Sequence, residues 1–190
     1  MAQQLLLTPQ ECFLHVVDPQ QSLMDQIFES SRVVSIIKLL FEASRILGMS
    51  VIANTQYQKG LGPYVKELET LMADTVKIDK TEFNGCANEA TLAVIDGLSA
   101  SVKTVILTGV ETHICIYQTA KGYLDKGITP WIVADGVSSR TEANYRLGLR
   151  RLERLGAIVG PAEMIIYELL AKAGTESFKA VLPHVLQCKF

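Results

Sequence analysis

Cysteine is scarce and scattered in this sequence. The four residues, at 12, 86, 115 and 188, show no CxxC spacing and no dense framework. That excludes a disulfide-stapled module and a zinc ribbon, and it fits free thiols in a reducing cytosol. Histidine is equally thin, with three residues far apart at 15, 113 and 184, so no histidine-rich metal cluster is encoded. No segment reaches the ~18 consecutive apolar residues that span a bilayer, so no membrane partner is expected. The opening MAQQLLLTPQE has neither a basic n-region nor a full apolar core and does not read as a signal peptide. Excess charge is missing too: the net charge of −2 provides no general affinity for nucleic acid or anionic membrane. What remains is a chain of 190 residues, 48% hydrophobic and 20% charged. Such a chain is expected to fold as one domain, 1–190, with a sizeable core, in the cytoplasm.

The apolar segments alternate between two periods. Cys12 to Val17 is a short apolar run that stops at the Asp18-Pro19 turn signal. Arg32 to Leu47 carries Val33, Ile36, Ile37, Leu40 and Phe41 at helical spacing, with Ser30 or Ser31 as cap and Gly48 as stop. Met49–Ala53, Val76–Ile78, Thr104–Leu107, Pro130–Ala134, which ends on Asp135-Gly136, and Ala157–Val159 read as further strands. Between and after them, 63–72, 87–98, 112–123, 141–155, 164–173 and 177–186 read as helices, and 54–63 as a Gly-rich loop. Alternating strands and helices imply βαβ units, hence an α/β fold: a three-layer sandwich around a mostly parallel six-stranded sheet.

In such sheets the site lies off the carboxyl ends of the strands. Asp18, the 54–63 loop, Lys80, the 109–115 turn and Asp135 all fall there. Within Lys103–Gly122, Thr108-Gly109 is expected to end the strand, and Thr112 to cap the next helix. Cys115 then occupies a first turn, where free N–H groups and the helix dipole favour a thiolate and could hold an oxyanion. Each group also has a structural reading. Asp18 can shape a turn, Lys80 can be solvated, and Cys115 can be a core thiol. His113 is rejected as the base of Cys115, because residues two apart do not share a helix face.

Three motifs in order carry a resemblance. VVDPQ at 16–20, KTEFNG at 80–85 and LTGVETHICIYQTA at 107–120 resemble the motifs of the isochorismatase-like cysteine hydrolases, which include nicotinamidases and N-carbamoylsarcosine amidases. NTQYQKGLGPYVKEL at 54–68 is similar to the isochorismatase-domain-containing group. The resemblance implies a catalytic Asp18, Lys80 and Cys115. The thiol attacks an electrophilic carbon, Asp18 moves its proton to the leaving amine, and Lys80 lowers the thiol pKa. It also implies a cis non-proline peptide at Val110–Glu111 that turns the Glu111 N–H, with that of Cys115, toward an oxyanion. Gln56, Tyr57 and Phe83 are placed by loop position as pocket lining.

Departures narrow the activity. Nicotinamidases carry an Asp-x-His metal pair where this chain has Asn54-Thr55-Gln56, which are poor transition-metal ligands, so no metal and no cofactor is expected. A retained thiol argues against vinyl-ether hydrolysis. The implied reaction is hydrolysis of an amide- or ureide-type C–N bond in a small molecule through a thioester. A non-catalytic or redox-active thiol scaffold on the same fold is the alternative. A homo-oligomer is implied by the resemblance, with the apolar segment from Met164 to Leu170 and the PHVLQCKF tail as candidate contact surface.

Overall fold

In the computed structural model, residues 6–188 are described, so the first five residues of the opening stretch, and Lys189 and Phe190 of the tail, lie outside it. The strands are β1 (Cys12–Val17), β2 (Ser50–Gln56), β3 (Lys77–Lys80), β4 (Thr104–Val110), β5 (Thr129–Ser138) and β6 (Ile158–Gly160). They form one sheet in the order β3-β2-β1-β4-β5-β6, and every pairing is parallel. The helices are α1 (Gln21–Met24), α2 (Ser30–Leu47), α3 (Gln58–Leu61), α4 (Lys66–Leu71), α5 (Glu89–Asp96), α6 (Tyr117–Asp125), α7 (Glu142–Leu155), α8 (Ala162–Leu170) and α9 (Glu176–Gln187). A π-helical turn, Thr112–Ile116, precedes α6.

The central strands are buried on both sides because helices cover both faces, which is why β1 and β4 are almost wholly apolar. Leu14 and Val16 of β1 point into a core with α2, α8 and α9, built from Ile36, Ile37, Leu40, Ile165 and Val181. Phe13 and Val17 point the other way, against Cys115, Ile116, Ala120, Tyr123 and Leu152 of the π turn, α6 and α7. Each such aliphatic side chain contributes about 1.5–3 kcal/mol on full burial. The expected apolar face of α2 is the buried one, and Gly48 ends the helix at φ 69.

Several sequence expectations fail at element ends. Neither Ser30 nor Ser31 caps α2: Ser30 is already helical, and Glu29 precedes it in the left-handed region without a side-chain cap. Thr112 caps nothing, since its Oγ1 is buried without a partner. Strands β2, β3, β4 and β5 run on to Gln56, Lys80, Val110 and Ser138, beyond their apolar stretches. The supposed breaks, Thr108-Gly109 and Asp135-Gly136, are an irregularity between paired strands. The β4–β5 register shifts between Leu107 and Gly109, and the Thr108 hydroxyl donates to the Gly136 carbonyl at 2.6 Å. Gly109 has φ 117, and a Cβ there would lie 2.0 Å from the Val17 carbonyl oxygen. Only glycine lets β4 pass so close to the end of β1. Turn residues signal local preference, and pairing to a neighbouring strand overrides it.

Candidate active site

The chain runs from β1 outward to β2 and β3, then crosses back to β4 on the other side of β1. The crevice between the carboxyl ends of β1 and β4 is therefore the switch point of the sheet, the usual place for a ligand. Asp18 follows β1 directly. It sits at φ 56, a left-handed conformation that Asp tolerates better than most residues. Its carbonyl accepts from Gln20 N–H at 2.8 Å, so the turn-shaping reading is also met.

Lys80 ends β3, two strands away from β1 rather than beside it. Strands two apart are about 10 Å from one another. The lysine side chain spans that gap, and its Nζ lies 2.7 Å from Asp18 Oδ2. Both side chains are completely buried, so Lys80 is no solvated loop residue. Nζ also donates to Gln56 Oε1 at 2.6 Å. Asp18 Oδ1, by contrast, is buried without a conventional hydrogen bond. Besides Lys80, the neighbour that couples to this carboxylate is the Cys115 thiol, whose pKa the Asp18 charge raises.

Cys115 is 7% exposed, in the π turn after β4. The turn packs against α7 at Gly148, where a Cβ would lie 2.9 Å from Thr112 Cγ2. The Val110–Glu111 peptide is cis. The Glu111 backbone N–H interacts favourably with negative charge on the sulfur. Its carboxylate accepts from the Arg140 backbone N–H at 3.0 Å and pairs with the Arg140 guanidinium at 3.1 Å. The loop after β5 is thereby tied to the thiol-bearing turn. His113 turns the other way, with Nδ1 2.9 Å from Ser139 Oγ.

The electrostatics correct one expectation. The resting Cys115 thiol is not acidic: it is pushed up to about 12, by burial first and then by the neighbouring Asp18 charge. Lys80 pulls in the opposite direction without prevailing. Asp18 is also raised above the ordinary carboxylate range, by burial, against the pull of Lys80. The arrangement is therefore a neutral thiol beside a buried carboxylate that is held by an ammonium. It is not a preformed thiolate.

The remaining expected residues divide. Gln56 belongs to β2, not to a loop, and its amide is spent inside the protein on Lys80 and on the Thr81 carbonyl, at 2.8 Å. Tyr57 and Phe83 are half exposed, at 50% and 51%; the Tyr57 backbone N–H donates to the Lys80 carbonyl at 2.8 Å, and no side-chain hydrogen bond ties either ring to Asp18, Lys80 or Cys115. Asp135 lies inside β5, and its Oδ1 accepts from the Ala162 N–H at 2.8 Å, fixing the start of α8 instead of joining the site. Asn54 and Thr55 are likewise committed, to His15, Ile78 and Thr91, and to Asp79. Among the described residues no group of three or more His, Cys, Asp or Glu side chains could hold a metal ion. Sequence reasoning missed Gln20 and His15. Gln20 stood in the VVDPQ motif without a role, and His15 in a strand that reads simply as apolar.

Known proteins agree with this architecture. The isochorismatase domain family model matches residues 12–164. Isochorismatase domain-containing protein 1 of Danio rerio is 36% identical over 177 residues, covering 92% of this chain and 61% of that protein. The chain thus spans about six-tenths of that relative's length. Isochorismatase family protein 1B of Dictyostelium discoideum is 31% identical over 180 residues, covering 93% and 87%. The solved structure of the MAR1 ribonuclease of Caenorhabditis elegans superposes with a TM-score of 0.89 at 30% identity, covering 97% of this chain and 95% of the other.

Proposed function

The chain belongs to the isochorismatase family of hydrolases, and from that premise we propose that it hydrolyses an amide- or ureide-type C–N bond of a small molecule with Cys115, Asp18 and Lys80. One observation carries the reading. Asp18 is buried with Oδ2 held by Lys80, while Oδ1 has no conventional partner and the carboxylate faces a thiol. As Cys115 Sγ bonds to the carbonyl carbon, its proton passes to Asp18. The developing oxyanion meets the Glu111 and Cys115 N–H groups. Asp18 returns the proton to the nitrogen as the C–N bond breaks, leaving an acyl thioester and a free amine. Water then attacks the thioester and gives one proton to Asp18. The C–S bond breaks, the acid leaves and the thiol takes that proton back. No step calls for a metal, and Asn54, Thr55 and Gln56, where nicotinamidases place ligands, are all occupied internally.

The test is a screen of small amides and ureides for ammonia or amine release, with and without a chelator. Release that persists in chelator and vanishes in Cys115→Ala supports the proposal. Metal-dependent release, or release unaffected by Cys115→Ala, counts against it. The nematode relative adds RNA to the substrates to be tried. RNA cleavage by acid–base chemistry would survive loss of the thiol, so the same variant separates the two.

A second reading has an observation in its favour. A thiol pushed up to about 12 suits a non-catalytic scaffold as well as a resting enzyme. Selective alkylation of Cys115 at neutral pH, ahead of Cys12, Cys86 and Cys188, decides for the enzyme. A redox role is poorly supported, since Cys86 is buried, is also pushed up to about 12, and points its Sγ at the Thr119 carbonyl. We also infer a cytoplasmic homo-oligomer. Among the described residues no helix is long and apolar enough to cross a membrane; α8 leaves Met164 and Tyr167 exposed, and α9 leaves Leu186 exposed. A monomer mass by light scattering at micromolar concentration would overturn the oligomer.

A further inference from the structure

Lys80 reaches Asp18 across an intervening strand, and a four-carbon chain has no intrinsic reason to stay there. Fixing a lysine side chain costs conformational freedom that some partner must offset. The residue at the end of that strand is Gln56, which pairs with Lys80 in the β2–β3 register. Its Oε1 takes one ammonium N–H at 2.6 Å, and Asp18 Oδ2 takes another at 2.7 Å. Gln56 is itself held at both ends. Its Nε2 donates to the Thr81 carbonyl at 2.8 Å. Its backbone N–H donates to Gln20 Oε1 at 2.7 Å, and its carbonyl accepts from Gln20 Nε2 at 3.1 Å. Gln20 is wholly buried and also donates to the Gly62 carbonyl at 2.7 Å.

We propose that Gln56, locked by Gln20, is a positioning residue that clamps the Lys80 ammonium across β2. An ammonium has three N–H bonds. With two directed at Asp18 and Gln56, the third is left for the sulfur or for the charge that develops at the reacting carbon. A neutral amide suits the task, because a carboxylate at this position would place a second negative charge beside the thiol. The clamp is a geometric claim; only its consequence for Cys115 rests on the nucleophile reading above. The other charged or titratable groups that bear on Lys80 or on the Asp18–Cys115 pair are His15, Asp79, Glu82 and Tyr64, with the Glu111 backbone beside the sulfur.

The test reads the clamp and its consequence separately. In protein carrying ¹⁵N-lysine, the Lys80 ammonium is observed by NMR, assigned with Lys80→Met, and its hydrogen exchange is timed. Cys115 alkylation by iodoacetamide is followed across pH 7 to 10, with melting temperature as control. Gln56→Leu is expected to speed ammonium exchange and slow Cys115 alkylation by roughly tenfold or more each, the scale of a hydrogen bond to a charged group. The alkylation profile moves to higher pH. Gln20→Ala gives smaller changes of the same sign, and Gln56→Glu, which keeps an oxygen on the ammonium, retains its protection. If Gln56→Leu does not fold, the other two variants decide. A wild-type Lys80 ammonium that exchanges like surface lysines, or exchange unmoved by Gln56→Leu and Gln20→Ala, overturns the clamp. So does loss of protection in Gln56→Glu. Exchange that responds while Cys115 stays inert in the wild type leaves the clamp standing and removes the nucleophile instead.

Discussion

Two buried polar clusters lie side by side at the ends of β1 and β2, and they are opposites. One is Asp18, Lys80, Gln56 and Cys115. The other is His15, Asn54, Tyr123 and Thr91. In the second, Asn54 Nδ2 donates to the Ile78 carbonyl at 3.0 Å and to Thr91 Oγ1 at 2.8 Å, so its Oδ1 must accept. His15 therefore carries its proton on Nε2, which donates to Asn54 Oδ1 at 2.7 Å, and Nδ1 accepts from the Tyr123 hydroxyl at 2.7 Å. Thr91 donates its own hydroxyl hydrogen bond to Asn88 Oδ1 at 3.1 Å. Every group is neutral and every one is satisfied. Burial holds His15 uncharged, pushing it down to about 4. The first cluster is charged, and one carboxylate oxygen lacks a conventional partner. A complete network stabilises, and an incomplete one beside a thiol has capacity left for a reaction.

The largest expected effects fall on the incomplete cluster. Asp18→Asn and Cys115→Ala should each lower turnover of whichever amide or ureide the screen identifies by about 10²–10⁴. The double variant should be little worse than Cys115→Ala alone, because members of one unit are non-additive. Full additivity in kinetic measurements would break the contrast. His15→Gln should leave the chemistry largely intact and show itself in stability.

Thiol titration sharpens the contrast with opposite signs. Asp18 raises the Cys115 thiol by charge and by hydrogen bond, whereas Lys80 lowers it. Asp18→Asn should therefore speed iodoacetamide alkylation of Cys115 at pH 8 even as it removes turnover. Lys80→Met should slow it. Equal effects of both variants on alkylation would mean that the carboxylate and the ammonium do not act on the sulfur as described.

Acid should expose the complete cluster. His15 has a folded-state pKa of about 4, below its ordinary 6.5. Between these values the unfolded chain binds the extra proton, so stability falls as pH drops from 6.5 to 4 and levels off below. The span corresponds to about 3 kcal/mol. Urea melts at pH 7.5 and 4.5 should show that loss in the wild type and a smaller one in His15→Gln. The smallest effect should come from Thr91→Val, roughly 1 kcal/mol, since Asn54 Nδ2 keeps the Ile78 carbonyl.

The succession of the six strands and the longer helices along the chain was legible in the sequence, because burial imposes periods of about 2 and 3.6 on the spacing of apolar residues; the short helices α1 and α3 and the ends of β2, β3, β4 and β5 were not. Asp18, Lys80 and Cys115 were legible as residues at strand ends, although their assignment to chemistry came through resemblance. The sequence misled wherever a local signal met a tertiary demand. Thr108-Gly109 and Asp135-Gly136 read as breaks, yet the strands continue, since β4 needs a glycine to pass β1 and the sheet supplies the missing pairing. A helix start beside a lysine suggested an acidic thiol, yet burial and Asp18 outweigh both, and neither burial depth nor a neighbour 97 residues away can be read along a chain. The strand order was the decisive fact that only the folded sheet provides. It places β2 between Lys80 and Asp18, which makes Gln56 part of the site's support and not of its lining. Periodicity records which residues are buried. Which buried polar groups face each other depends on the strand order and register, and those are set by the sum of all contacts across the sheet.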